Sequence, residues 1–234
     1  MTPVARKAVA LLSGGLDSSV AMALAIKEGT QVILALTVDY GQRAAGAESD
    51  HARRIARHFG VSHRTGQLPW FRDIGRGGLF DGRDLPEPTA TDLNCSQFTS
   101  QSAKAVWVPN RNGVLIEMAS AFAESLGAEA VIVGFNLEEA ATFPDNSKDY
   151  MHAVSRALAY STANQVEVIS PTASLDKREI VARGKEMQFP FDLIWSCYVS
   201  GDRMCGRCES CMRLKRAFAS HQLEFDEYFH SAQL

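Results

Sequence analysis

With 234 residues, 46% of them hydrophobic, the chain is long enough to bury one sizeable core, which excludes wholesale disorder. Lys and Arg number 24 against 27 Asp and Glu, a formal charge of −3, so no global field favours a polyanion and a nucleic-acid partner is not expected. No apolar run approaches a membrane span of about 18 residues, and residues 1–15 lack the long apolar segment of a secretory leader, so a soluble, cytoplasmic protein with no membrane partner is expected.

The first elements meet at Ala8 to Ser19, AVALLSGGLDSS. An apolar run from about Ala8 to Leu12 enters a glycine turn, and a helix is predicted from about Asp17 to Lys27. Strand, glycine loop and helix start together suit an anion: main-chain N–H groups can approach phosphate oxygens, and Ser13, Ser18 and Ser19 add hydroxyls. The loop lacks the Lys of GxxxxGK[ST] and the spacing of GxGxxG. On spacing alone, an ordinary turn between a core strand and a helix stands beside the phosphate reading.

Thr30 to Asp39 predicts a second strand, ending in Asp39-Tyr40-Gly41-Gln42 where an open parallel sheet places its ligands. A helix follows from Ala44 to Phe59, with Ala47, His51, Ile55 and Phe59 along one side, then a short strand from Val61 to Gln67. Residues 69–108 carry Gly75, Gly77, Gly78, Gly82, Pro86 and Pro88 and are too long for a routine connection; they read as an active-site cover, an interface element or mobile chain. Cys95, among turn formers, reads as a plain small residue.

Regular pattern returns at Asn110 to Leu126, a predicted helix with Val114, Met118, Ala121, Phe122 and Leu126 on its apolar side and Gly127 as terminator. A strand is expected over Glu129 to Gly134, a helix over Tyr150 to Tyr160, a strand over Val166 to Ile169 and a helix over Asp176 to Met187. This alternation predicts an α/β fold: a doubly wound, mostly parallel sheet flanked by helices, with right-handed crossovers. Residues 1–190 form the expected main domain and 191–234 a C-terminal appendage. Within the latter, Phe225, Tyr228 and Phe229 among Glu224, Asp226 and Glu227 fit a short packed helix or a tail.

Cys197, Cys205, Cys208 and Cys211 fall within fifteen residues, spaced C-x7-C-x2-C-x2-C. Clustered thiols in a chain of this size point to metal ligation rather than a disulfide framework. Four thiolates suit a closed, structural zinc site; an iron–sulfur cluster is the rival, disfavoured because the spacing lacks the ferredoxin continuation. Arg203, Arg207, Arg213, Lys215 and Arg216 surround the cysteines. Without a Phe or Tyr ladder they read as a solvated basic face rather than a nucleic-acid surface.

Ser13-Gly14-Gly15-Leu16-Asp17-Ser18-Ser19 resembles the pyrophosphate-binding loop of the ATP pyrophosphatases. Taken with Val108-Pro109-Asn110-Arg111-Asn112, Gly134-Phe135-Asn136, Asp176-Lys177 and Trp195-Ser196-Cys197 leading into the cysteines, the chain from Ala8 to Phe218 resembles the 7-cyano-7-deazaguanine synthases of the queuosine pathway. The resemblance implies an adenine nucleotide alpha hydrolase-like fold, a homodimer, and conversion of 7-carboxy-7-deazaguanine to the nitrile with ATP, Mg2+ and ammonia. It implies phosphate contacts at Ser13, Gly14, Gly15, Asp17 and Ser18, with Asp17 also beside magnesium, and an adenosine wall at Leu11 and Thr37. Lys177 is implied as the cation for the α-phosphate or leaving pyrophosphate, and Arg111 completes that site. Gln42 and Arg43 are candidate phosphate or substrate contacts; Asn136, Glu139, Phe143 and Asp145 are candidates for the heterocycle. For Lys177 the residues alone favour a surface lysine at a helix start, and for Arg111, Asn136, Glu139 and Asp145 capping or turn roles stay open.

The stretch Glu139 to Tyr150 departs from the common family pattern. Pro144-Asp145 is kept, but Asn146 and Ser147 stand where many members carry Cys and Arg. That leaves open a related ligase or amide synthase adenylating another carboxylate, and further off a tRNA-modifying enzyme or a nucleotide- or RNA-binding protein.

Overall fold

The computed structural model describes residues 5–80, 85–224 and 226–230. Gly82 and Phe225 lie outside the described residues. In chain order the elements are β1 (Lys7–Leu11), α1 (Leu16–Lys27), β2 (Gln31–Asp39), α2 (Ala45–His58), β3 (His63–Gln67), α3 (Phe71–Ile74), α4 (Ser96–Val106), α5 (Arg111–Ser125), β4 (Ala130–Ile132), α6 (Leu137–Ala140), α7 (Lys148–Ser161), β5 (Glu167–Ile169), α8 (Lys177–Glu186) and α9 (Glu209–Ala219). Among the described residues the strands form one sheet, order β3-β2-β1-β4-β5, with every pairing parallel. The chain leaves β1 toward β2 on one side and returns to β4 on the other, so a crevice opens beyond the carboxyl ends of β1 and β4.

The alternation of β1 sorts the two helical layers. Ala8 and Ala10 face a cluster with Val20, Met22, Ile55, Ile180 and Phe218, drawn from α1, α2, α8 and α9. Val9 faces the other way, toward Leu36, Ile116, Ala119 and Leu158, where α5 and α7 lie. The doubly wound architecture is as expected.

Helix α5 turns a different face inward from the expected one. Asn112, Ile116, Ala119, Ser120 and Ala123 are buried, whereas Val114, Met118 and Phe122 lie on the shoulders, Ala121 is exposed and Leu126 is 47% exposed. The small residues Ala119, Ser120 and Ala123 let the helix axis close on the sheet, and the large ones fill its flanks. The described parts of residues 69–108 hold α3 and α4, and their Phe71, Leu79, Val106 and Val108 form a third cluster with Tyr40 after β2. Residues 194–218 pack into the same core cluster as α1: Trp195, Cys197, Leu214 and Phe218 are all buried there. Among the described residues no helix is long and apolar enough to cross a membrane.

Candidate active site

Two glycines shape the crevice. Gly14 has φ of +78°, and a Cβ there would lie 2.9 Å from the Ala52 nitrogen and the Glu48 carbonyl, so the loop folds flat onto α2. A Cβ on Gly134 would lie 2.4 Å from the Ser18 nitrogen, so β4 exits directly against the start of α1. The loop between them is braced internally: Ser13 N–H donates to Ser18 Oγ at 3.3 Å, Gly15 N–H donates to Ser13 Oγ at 3.3 Å, and the two hydroxyls lie 3.1 Å apart.

Above this loop is a cavity of about 290 Å³. Leu11, Leu36, Thr37 and Leu115 form one wall, Ser13, Gly15, Asp17, Ser18 and Lys177 the floor, and Glu139, Phe143 and Asn146 the far side. Leu79, Thr99 and Val106, from the described parts of residues 69–108, close one side of it. Thr37 Oγ1 donates to the Leu12 carbonyl at 2.6 Å and so can only accept from His63 Nε2, at 2.8 Å. Burial, with Arg53 nearby, lowers the His63 pKa and keeps the ring neutral with its proton on Nε2.

Lys177 opens α8, whose capping box between Asp176 and Glu179 fixes the helix start. It is not a surface lysine. Its side chain is buried, with Nζ 2.5 Å from Asp17 Oδ2 and 3.0 Å from Glu139 Oε1. Burial disfavours its charge, but the two carboxylates overcome that and raise its pKa. Burial pushes the Asp17 carboxyl up to about 6 against the pull of Lys177, with Glu139 adding to the rise. For Glu139 burial acts upward too, but Lys177 and Arg111 hold it below its ordinary value. Asp17 Oδ1 is buried with no hydrogen-bond partner among the described residues.

Arg111, at the start of α5, is on the cavity wall; its Nη1 donates to Tyr40 Oη at 3.4 Å, and the guanidinium lies 5.8 Å from the Tyr40 ring centroid. Phe143 presents a flat wall and is backed by Trp107, the rings parallel within 6° and 6.1 Å apart. Other candidates stand off the wall. Gly14 underlies the loop. Gln42 is a buried strut, accepting from Tyr40 N–H and donating to the Val38 carbonyl and to Glu48. Arg43 donates to the Gly78 carbonyl, tying the end of β2 to the cover. Asn136 is fully buried and caps α6 by accepting from Glu139 N–H at 2.9 Å. Asp145 accepts from Asn146 Nδ2 at 3.3 Å.

Sequence reasoning quoted Tyr40 and Asn112 in motifs without a role for either and missed Glu48, Tyr198, Glu209 and Arg213 as site residues; all six are on the wall. Glu48 and Arg213 come from helices, where only the fold decides which charges face inward. Arg213 also corrects the solvated basic face: it pairs with Glu209 at 2.6 Å and Glu138 at 2.9 Å, side chain only 13% exposed. Arg216 joins the same Glu138, Arg207 pairs with Glu87, and Lys215 lies 4.6 Å from the Phe229 ring centroid.

Beside the cavity the Sγ atoms of Cys197, Cys205, Cys208 and Cys211 lie within 4.8 Å of one another, apart from the exposed Cys95. Cys205 and Cys211 are 3.8 Å apart, matching the edge of about 3.8 Å of a tetrahedron with metal–sulfur bonds of about 2.3 Å. An iron–sulfur cluster interposes irons and sulfides and needs its thiolates wider apart. Hydrogen bonds from the other three thiols drive Cys205 far down as a thiolate, and Cys208 and Cys211 are driven up. The sulfur spacing fits a closed four-thiolate metal site.

The family model described as queuosine biosynthesis protein QueC matches residues 7–222. The 7-cyano-7-deazaguanine synthase of Bdellovibrio bacteriovorus is 48% identical over 225 residues, covering 96% of this chain and 97% of that protein. The synthase of Desulforamulus reducens is 49% identical over 222 residues, covering 94% and 97%. The synthase of the same name from Methanosarcina mazei is 46% identical over 216 residues, covering 91% and 93%.

Proposed function

This chain belongs to the queuosine biosynthesis protein QueC family, and we propose that it is an ATP-dependent carbon–nitrogen ligase making 7-cyano-7-deazaguanine from 7-carboxy-7-deazaguanine and ammonia. The observation that carries the reading is one cavity in which the phosphate loop, the buried Lys177 and the aromatic wall of Phe143 meet.

In this reading Leu11 and Thr37 bound the adenosine, and the loop from Ser13 to Ser18 holds the phosphates with N–H groups and hydroxyls. Lys177 exchanges its bonds to Asp17 and Glu139 for the α-phosphate and the departing pyrophosphate, and Arg111 adds positive charge on the opposite side. The orphaned Asp17 Oδ1 fits a divalent cation; Mg2+ held there would neutralise phosphate charge. The acid attacks the α-phosphorus and pyrophosphate leaves; ammonia then displaces AMP to give the amide. A second ATP activates the amide oxygen, and AMP departs with a proton to leave the nitrile. Phe143 supports the flat ring system, with Glu139 as the polar neighbour of its donors, while Asn136 and Asp145 stand behind the wall. Leu79, Thr99 and Val106 help exclude water, which otherwise hydrolyses an acyl adenylate. The four cysteines hold Zn2+ as a closed structural site. A thiolate metal site fits a reducing cytoplasm, and the family resemblance supports a homodimer.

The test is turnover of 7-carboxy-7-deazaguanine with ATP, Mg2+ and ammonium, reading product mass and pyrophosphate. A loss of about 19 mass units with about two pyrophosphates per product supports two activation steps. A loss of about one mass unit makes the chain an amide synthase. Unconsumed acid with intact ATP binding overturns the substrate and directs the search to other carboxylates, starting from the divergent residues 139–147.

A further inference from the structure

Helix α1 begins without a cap of its own. Gly15 occupies the N-cap and offers no side chain, so the first N–H groups lack a local acceptor. The acceptor comes from far along the chain: Leu16 N–H donates to Ser196 Oγ at 3.3 Å. One residue earlier, Trp195 N–H donates to the Gly14 carbonyl at 2.8 Å. The segment lies so close over the loop that a Cβ on Gly15 would be in contact with the Trp195 carbonyl and Ser196 Oγ, at 3.7 and 3.8 Å.

The next residue is Cys197, whose Sγ accepts from Val199 N–H and Cys205 N–H at 3.4 Å each. Ser196 N–H donates to Met204 Sδ, also at 3.4 Å, just before Cys205. Phosphate loop and thiolate group therefore share three consecutive residues with no slack between them. A second strut runs parallel: Glu209, adjacent to Cys208, pairs with Arg213, Arg213 pairs with Glu138, and Glu138 accepts Lys177 N–H at 3.2 Å.

We propose that Ser196 is a positioning residue for the phosphate loop, and that through Cys197 the filling of the thiolate site and the binding of nucleotide strengthen each other. This rests on the nucleotide reading of the loop given above. A metal held by Cys197 ties the segment carrying Trp195 and Ser196 to Cys205, Cys208 and Cys211, and an empty site removes that tether and favours opening of the segment. Opening takes the partners of Leu16 N–H and the Gly14 carbonyl with it, and the loop loses the shape that fits phosphate. Linkage makes the effect mutual: whatever the metal adds to nucleotide affinity, the nucleotide adds to metal retention.

The experiment uses the full-length chain loaded with one equivalent of zinc. ATP with Mg2+ is titrated by calorimetry, and zinc release to excess chelator is followed with and without saturating ATP. Ser196→Ala is expected to weaken ATP binding about fivefold, the worth of one helix cap, and Ser196→Thr, which keeps the acceptor oxygen, to recover most of it. Saturating ATP is expected to slow zinc release from the wild type about fivefold, and to have little effect on release from Ser196→Ala. ATP affinity within about twofold of wild type in a zinc-replete Ser196→Ala protein overturns the proposal. So do equal release rates with and without ATP in the wild type, a measurement that needs no variant. A zinc-loaded wild type that binds no ATP overturns the nucleotide reading itself, and this inference with it.

Discussion

Replacing Lys177 by Met removes the cation from a buried pair of carboxylates. Nζ touches Asp17 Oδ2 at 2.5 Å and Glu139 Oε1 at 3.0 Å, so those oxygens are no more than about 5.5 Å apart. If both stayed ionised, their repulsion at an effective dielectric constant of about 20 is roughly 3 kcal/mol. Asp17 has a cheaper route. Its carboxyl is already pushed up to about 6, so taking up a proton at pH 7 costs at most about 1.4 kcal/mol. Protonation wins at neutral pH, and the variant is expected to fold with stability lowered by about 1–2 kcal/mol, or about 2–4 °C of melting temperature per kcal/mol. The sign of the pH dependence follows. The folded carboxyl binds its proton more tightly than the unfolded one, whose value is 3.8, so its contribution is full below about 4 and is lost as pH rises through about 6. Without Lys177 the Asp17 carboxyl keeps its proton to higher pH than in the wild type, so the deficit of Lys177→Met should grow as pH rises from 6 to 8. Turnover should fall at least about a hundredfold at saturating ATP, because charge on the departing pyrophosphate goes unmatched. Thermal melts from pH 6 to 8 and pyrophosphate release measure the two effects. A deficit independent of pH, or turnover within tenfold of wild type, refutes the reasoning.

Phe143→Ala should raise KM for the deazapurine acid about tenfold while leaving ATP affinity unchanged, and Trp107→Ala should act in the same direction more weakly, since it only backs the ring; steady-state kinetics in each substrate decide this. Cys205→Ser should no longer retain a metal at the thiolate site and should melt well below wild type, and chelation of the wild type should give the same loss, read by metal analysis and calorimetry. Glu138→Gln removes the carboxylate charge that faces both Arg213 and Arg216. It should cost about 2 kcal/mol in chemical denaturation.

The main architecture was legible because it depends on local pattern. Apolar runs entering glycine turns marked β1 and β2, and Gly127 closed α5 where expected. The missed elements are those whose pattern is blurred: α4, SQFTSQSAKAV, reads as polar coil, and α9 is crowded with cysteines and arginines. The inward face of α5 was misjudged because large residues signal a core more loudly than Ala119, Ser120 and Ala123, although close helix–sheet approach requires small ones. In the site, Ser13, Asp17, Ser18, Arg111 and Lys177 were named from motif order, and the fold brings them around one cavity. Gln42 and Asn136 carried the right chemistry but use it internally, as strut and cap.

Sequence alone determined the order of the five strands, the glycine loop after the first strand and the spacing of four thiols, because each is written in residues near one another in the chain. Only the tertiary structure decided that Lys177 is buried between Asp17 and Glu139, that Ser196 caps a helix begun at Leu16, and that Arg213 faces the cavity. Those contacts join residues brought together by the packing of α8 and the C-terminal segment onto α1, and no local propensity specifies which distant side chain will supply a missing charge or hydrogen bond.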